Sequence, residues 1–238
     1  MYVFIMQPTF LPWIGYFDMI DQCKDLVFLN DVDYTKNSWQ NRNKIKTKKG
    51  LEWITLPVSK TSNEKKLNKK KIISSKLNFK KIKDTIYFNY NKSQFFRNYS
   101  KEFFDILEKK YFQSNLSNLN IELIMWAMRI LNIKKNIYFS DKLKSSGKRT
   151  TKIVNICNEV NNKYYLSTIG SMEYINKDKN LINESNIKVF FHNYEHPSYT
   201  QIFGNFFPYA SIIDLIFNEG ENSMKILKSG RKQLKKFL

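Results

Sequence analysis

Apolar positions follow two different periods along the chain. Tyr2-Val3-Phe4-Ile5-Met6 is almost continuously apolar, the pattern of a strand buried on both faces. Ile14, Phe17, Met19 and Ile20 then recur at helical spacing and predict a helix over 15–23. Leu26 to Leu29 reads as a second buried strand, ended by Asn30 and Asp31. Strand, loop, helix and strand within about thirty residues predict a parallel pair and an α/β fold. Glu52 to Val58 reads as a third strand, and Lys71-Ile72-Ile73 as a fourth at an edge guarded by lysines.

The middle of the chain changes to helical spacing. Residues 78–112 and 116–131 are predicted helices. Phe103, Phe104, Ile106, Leu107 and Tyr111 form one apolar stripe; Leu119, Leu123, Trp126, Ala127 and Ile130 form another. Ile137 to Ser140 returns to a strand. Thr150 to Asn161 reads as a helix capped by Thr150. Residues 164–167 and 188–191 are two more strands. A final helix is expected over 208–218 with Pro208 in its first turn, followed by a basic, amphipathic tail from Ser223. No repeat and no Gly/Ser linker interrupts this order. The expected architecture is one α/β domain over 1–238, with a mostly parallel sheet, flanking helices and a basic, helical subdomain at about 60–135.

Composition supports a folded chain with a sizeable core: 238 residues, 42% hydrophobic and 16% aromatic, which argues against disorder. No window approaches the ~20 apolar residues of a membrane span, and the N-terminus lacks the basic start and cleavage site of a signal peptide. Cys23 and Cys157 stand alone, give no metal pattern, and suit a reducing cytoplasm. The net charge is +19, and residues 44–83 hold fourteen lysines against Glu52 and Glu64, a net of +12. Runs such as Lys69-Lys70-Lys71 lack the interleaved aromatics of a base-reading surface. A solvated patch that attracts phosphate-bearing substrates or an anionic membrane face is the expected role.

The familiar phosphate loops are missing, as are the nucleophile elbow and the zinc motif. Ser146 to Thr151 reads as a loop entering a helix. What remains lies at strand ends, where open α/β sheets bind ligands. Two such loops hold Gln7, Asp31, Asp33, Lys36, Trp39, Asn41, Arg42 and Asn43. Carboxylates and amides there suit hydroxyls, Arg and Lys suit phosphate, and Trp suits a ring face. A hydrogen-bonded turn network explains the same residues equally well. The two histidines are His192 and His196. His196 follows a strand and is a candidate general base.

Three stretches carry a family resemblance: MQPTFLPWIGYFDMI at 6–20, NDVDYTKNSWQNRNKI at 30–45 and HPSYTQIFGNFFPYASIIDLIFNEG at 196–220. In order and spacing the chain resembles the WbqC-like proteins. The resemblance implies a bacterial protein of surface-polysaccharide (O-antigen) gene clusters that transfers glycine or another small amino acid to a sugar amine. It points to Gln7, Pro8, Gly15, Asp31, Lys36, Trp39, Asn41, Arg42, Asn43, His196, Tyr199, Gln201, Ser211 and Asp214. A more distant likeness joins residues 9–20 to the nucleotidylyltransferases and implies a Rossmann-like fold. Where those enzymes place histidines, this chain has Trp13, Ile14 and Tyr16, which puts nucleotidyl transfer itself in doubt.

The resulting expectation is an acyltransferase acting on a nucleotide-linked amino sugar. Its catalytic set is Asp31, Lys36, Arg42 and His196. Its substrate-binding set is Gln7, Pro8, Thr9, Gly15, Tyr16, Asp33, Trp39, Asn41, Asn43, Tyr199, Gln201 and Asp214, with no metal. Asp31 or His196 would take the amine proton; Lys36 and Arg42 would hold phosphate or the oxyanion. No cofactor is expected beyond an activated amino acid donor, an aminoacyl-tRNA or adenylate, and a tRNA would meet the basic patch at 44–83. The expected place is the cytoplasm, or the inner membrane as a peripheral protein. The alternatives are a nucleotide-binding enzyme with altered chemistry and a non-enzymatic scaffold of polysaccharide assembly.

Overall fold

Val3, Phe4 and Ile5 are buried on both faces of the first strand, β1 (Tyr2–Met6). Side chains of this size contribute about 1.5–3 kcal/mol each on burial, which places β1 at the centre of a sheet. The computed structural model describes residues 1–61 and 65–237; Glu64, one of the two acids of the basic stretch, lies outside them. Helix α1 (Ile14–Gln22) runs directly into β2 (Cys23–Phe28), which pairs with β1 in parallel. The sheet continues with β5 (Asn136–Phe139), β6 (Tyr164–Ser167), β7 (Lys188–Phe191) and a short β8 (Lys235–Lys236). Its order is β5-β2-β1-β6-β7-β8, parallel except for β8. Chain order reverses at β1, and the mostly parallel sheet flanked by helices is Rossmann-like.

The segment between β2 and β5 departs from the predicted pattern. Its third strand, β4 (Gly50–Thr55), is not part of the main sheet. It forms an antiparallel hairpin with β3 (Arg42–Thr47), a strand the periodicity missed because its alternate residues are lysines and arginine. Lys71-Ile72-Ile73 is no strand; Lys71 and Ile72 form isolated bridges, to Asn115 and Val58. The predicted helix over 78–112 is two helices, α2 (Lys76–Tyr90) and α3 (Phe96–Gln113). The break lets Phe95 donate its N–H to the Phe217 carbonyl at 2.9 Å and lay its ring over Gly220. Gly220 has φ +50°, and an added Cβ there would fall 2.4 Å from that ring. Helix α4 (Leu116–Ile130) is capped by Asn115, whose side chain accepts from the Asn118 N–H at 2.9 Å.

Helix α5 (Arg149–Glu159) follows Lys148, not Thr150, as its N-cap; the Thr150 hydroxyl is committed to Asp178. Two short helices, α6 (Met172–Lys177) and α7 (Lys179–Glu184), precede β7 and carried no strong apolar period. The final helical region starts later than Pro208. Helix α8 (Ile212–Glu219) is capped by Ser211, and α9 (Ser223–Ser229) follows it. One continuous apolar cluster joins β1, α1, the hairpin, α2–α4 and α8; a second fills the other face of the sheet against α5–α7. Among the described residues, no helix is long and apolar enough to cross a membrane.

Candidate functional site

The loop after β1 is held rigid by contacts from distant segments. Pro8 and Pro12 fix two φ angles. Leu11, between them, adopts φ +46°, which L side chains seldom take. Such strain persists where surrounding contacts over-determine it. Asn43 supplies two of them: its Nδ2 donates to the carbonyls of Phe10 and Leu11 at 3.0 and 2.7 Å. The Phe10 N–H donates to the Trp39 carbonyl, and the Ile212 N–H to the Pro12 carbonyl, both at 2.8 Å. Asn120 of α4 bridges the carbonyls of Pro8 and Gln40 at 3.0 and 2.7 Å. Gln40 Nε2 donates to Gln7 Oε1 at 2.7 Å, which turns the Gln7 side chain toward the loop.

This loop, the segment after β2 and the segment before α8 enclose a hollow of about 260 Å³ at the carboxyl end of β1. Met6, Thr9, Pro12, Trp13 and Tyr16 come from the first segment. Trp39 and Asn43 come from the second, and Tyr209 from the third. Four of the expected residues therefore share one hollow: Thr9, Tyr16, Trp39 and Asn43. Tyr16 donates its hydroxyl to the Gln7 carbonyl at 3.2 Å, and burial pushes its pKa far up, so it stays a neutral donor.

Trp13 owes its position to Gly15. An added Cβ on Gly15 would lie 2.2–2.6 Å from three carbons of the Trp13 ring. The glycine's close approach is thus to its own neighbour, which forms the wall of the hollow. Gly15→Ala is expected to drive the indole out of place, at about 1–3 kcal/mol of stability. Near-UV circular dichroism and a thermal midpoint check it; an unchanged aromatic spectrum would contradict it.

A second layer stands behind that wall. The His196 ring stacks on Trp13 at 5.9 Å and 19° and meets Tyr209 at 5.2 Å. Its Nδ1 lies 3.0 Å from the Pro197 carbonyl, which can only accept, so the neutral ring carries its proton there. Nε2 is left as a buried lone pair without a protein partner among the described residues. Burial lowers the His196 pKa, so the ring is neutral near pH 7. Asp214 lies further in, accepting from Tyr199 and Gln201 at 2.7 Å each. Burial raises its pKa to about 6, against the opposing pull of those hydrogen bonds, Tyr90 and Lys46. Ser211 caps α8 and forms a bridge with Trp13.

The remaining expected residues are not in the hollow. Burial tends to raise the Asp31 pKa, but hydrogen bonds from Lys152 and Ser140 outweigh it and hold the carboxylate low. That makes Asp31 an ion-pair partner and a poor base. Asp33 is exposed and pairs with Lys66 at 3.0 Å. Lys36 is exposed beside Asn37, which has φ +56°. Asn41 Nδ2 donates to the Leu56 carbonyl at 3.0 Å. Arg42 lies over the Trp53 ring at 4.2 Å.

Sequence reasoning did not single out Gln40, Asn120, Lys46 or Tyr90. Lys46 is buried in the basic stretch, donating to the Asn205 carbonyl at 2.6 Å beneath the Phe207 ring. Its own N–H donates to the Tyr90 hydroxyl at 3.0 Å. Nothing local distinguishes Lys46 from its solvated neighbours, because its partners lie more than forty residues away in sequence. Tyr209 was legible only as part of an aromatic segment.

The model of the WbqC-like protein family matches residues 7–226. An uncharacterized protein of Mycobacterium tuberculosis (strain ATCC 25618 / H37Rv), Rv1507c, is 31% identical over 230 residues, covering 95% of this chain and 97% of its own. No solved structure matches. The chain belongs to the WbqC-like protein family.

Proposed function

We propose that this member of the WbqC-like family is a transferase of bacterial surface-polysaccharide synthesis. It would place a glycyl or similar small acyl group on the amine of a nucleotide-linked amino sugar. The observation that carries this reading is the aromatic hollow at the end of β1. Trp13, Tyr16, Trp39 and Tyr209 offer ring faces to the apolar face of a sugar, and Thr9 adds a hydroxyl to the lining. The size of the hollow suits a single sugar ring.

The sugar amine is itself the nucleophile, so no covalent enzyme intermediate is required. Burial raises the thiols of Cys23 and Cys157 to about 12, which argues against either as a thiolate nucleophile. The amine nitrogen forms the new bond to the acyl carbon, and the bond from that carbon to the donor oxygen breaks. His196 Nε2 would take the amine proton and pass it to the leaving oxygen, once Tyr209 or Trp13 moves aside. Arg42 and Lys36 would meet phosphate. The donor would be an aminoacyl-tRNA or adenylate, with the tRNA drawn to the basic stretch at 44–83.

Incubating candidate nucleotide-linked amino sugars with the protein, amino acid, ATP, tRNA and synthetase tests the reading by mass spectrometry. The expected result is a gain of one aminoacyl residue, with His196→Ala slower by about 10²–10⁴-fold. Sugar that binds but never gains mass, whatever the donor, would favour a non-enzymatic scaffold instead. The second reading, a nucleotide-binding enzyme with altered chemistry, is supported by the Rossmann-like order of the sheet.

A further inference from the structure

We infer that the outer face of the β3–β4 hairpin is the subsite for a nucleoside diphosphate, with the base against the Trp39–Trp53 pair and the phosphates on the cations of β3. The inference rests on the nucleotide-linked substrate proposed above and names where its nucleotide end lies.

Strand alternation sets Arg42, Lys44 and Lys46 on one face of β3. The register places Lys44 directly across from Trp53, and Arg42 across from Thr55. Arg42 and Lys44 accordingly lie over the Trp53 ring, at 4.2 and 5.2 Å. Lys46, the third cation of the row, is already held by Asn205 and Phe207. Trp53 in turn meets Trp39, with centroids 5.1 Å apart. The two rings remain 45% and 49% exposed. Two adjoining tryptophans left half in water, beside cations that have no carboxylate partner among the described residues, form a surface suited to a flat anionic ligand.

The two rings also join two hollows. Trp39 lines the hollow at the end of β1. Trp53 lines another, of about 310 Å³, between the hairpin and α2, where Asn78, Lys81 and Thr85 contribute polar atoms. Among the described residues, no carboxylate lines either one. Glu52 sits next to Trp53 in β4 and so faces the opposite side of the hairpin. A sugar linked through a diphosphate to a nucleoside has a ring at each end and negative charge between. The paired hollows and the cations beside their shared wall match that outline.

The test uses the full-length protein and uridine diphosphate as the probe, followed by tryptophan fluorescence and calorimetry. Saturable quenching is expected. Trp53→Ala should weaken binding about tenfold or more, the scale of one base–aromatic stack, while Trp53→Phe, which keeps a ring, stays within about threefold. Lys44→Met should weaken binding and flatten its salt dependence. Binding of glucosamine, which carries no nucleotide, should be unchanged in both. Uridine diphosphate binding that ignores both substitutions overturns the subsite and leaves the nucleotide-linked substrate standing. If the diphosphate fails to bind at millimolar concentration while glucosamine binds, the inference is overturned. Trp53-dependent binding of a CCA-ended RNA that uridine diphosphate cannot displace also overturns it and assigns the face to a donor. Mass gain on a free amino sugar, but not on its nucleotide-linked form, overturns the substrate reading separately.

Discussion

Asp18→Ala is expected to cost the fold about 3–5 kcal/mol, because it breaks a buried ion pair from the acidic side. Asp18 is fully buried in α1. Its Oδ1 accepts from Arg231 Nε at 2.8 Å, and its Oδ2 from His192 and Gln22 at 2.7 Å each. One carboxylate thereby ties α1, the end of β7 and the chain after α9. Arg231 is 30% exposed and also reaches Asp21 at 2.6 Å, so its charge is not wholly stranded and the lower end of the range is expected. The effect extends toward the hollow. His192 stacks on Tyr194 at 5.4 Å, and Tyr194 packs edge-on against Trp13. Urea unfolding checks the prediction. Asp18→Asn, which keeps an acceptor, should lose less than Asp18→Ala, and a loss below about 1 kcal/mol for the alanine variant would show that the pair is dispensable.

The second large effect depends on pH and comes from Asp214. Its folded pKa, about 6, lies above the ordinary carboxylate value of 3.8. The folded state therefore holds this proton more tightly than the unfolded chain does. The sign follows: stability from this group is greatest below about pH 4 and declines as pH rises to 6 and beyond. Two pKa units correspond to about 3 kcal/mol. Other groups run the opposite way. Burial lowers the His196 pKa, so His196 favours the folded state as pH rises toward and past its unfolded value of 6.5. Asp31, held low by Lys152 against its burial, contributes stability that disappears as pH falls below the carboxylate range. The Asp214 contribution is isolated by subtracting the stability–pH curve of Asp214→Asn from that of the wild type. The amide is neutral at every pH, so the difference curve carries the whole pH dependence of the Asp214 charge, its interaction with Lys46 included. A flat difference between pH 4 and 7 would contradict the assignment.

Local pattern was a good guide where both faces of an element were buried. Tyr2–Met6, Tyr164–Ser167 and Lys188–Phe191 are strands with the predicted limits. Burial there demands continuous apolar residues, which a single period detects. The pattern failed where tertiary partners replaced apolar residues. In β3, Lys46 and Asn43 occupy buried positions because Phe207, Asn205, Phe10 and Leu11 satisfy them. Nor does the sequence of Lys69-Lys70-Lys71 reveal that Lys70 is buried near the Tyr34 ring, at 5.1 Å.

The candidate site divides in the same way. The three segments at 6–20, 30–45 and 196–220 could be named from residue order alone, and they do meet at one hollow. Of the residues that line it, Thr9, Tyr16, Trp39 and Asn43 were expected from the sequence, while Met6, Pro12, Trp13 and Tyr209 were not. Gln7, Asn41 and Asn43 make hydrogen bonds to the framework, while Asp31 is drawn to Lys152, a residue 121 positions away. Polar side chains near a strand end look alike in sequence; distant donors and acceptors decide which support the loop and which meet a ligand. The sequence by itself determined the parallel α/β frame, because strand and helix periods are written locally by burial. Only the tertiary structure decided that Trp53 lies against Arg42 and Lys44 with Trp39 beside it. That arrangement follows from the register of an antiparallel hairpin and one loop contact, neither of which has a local signature.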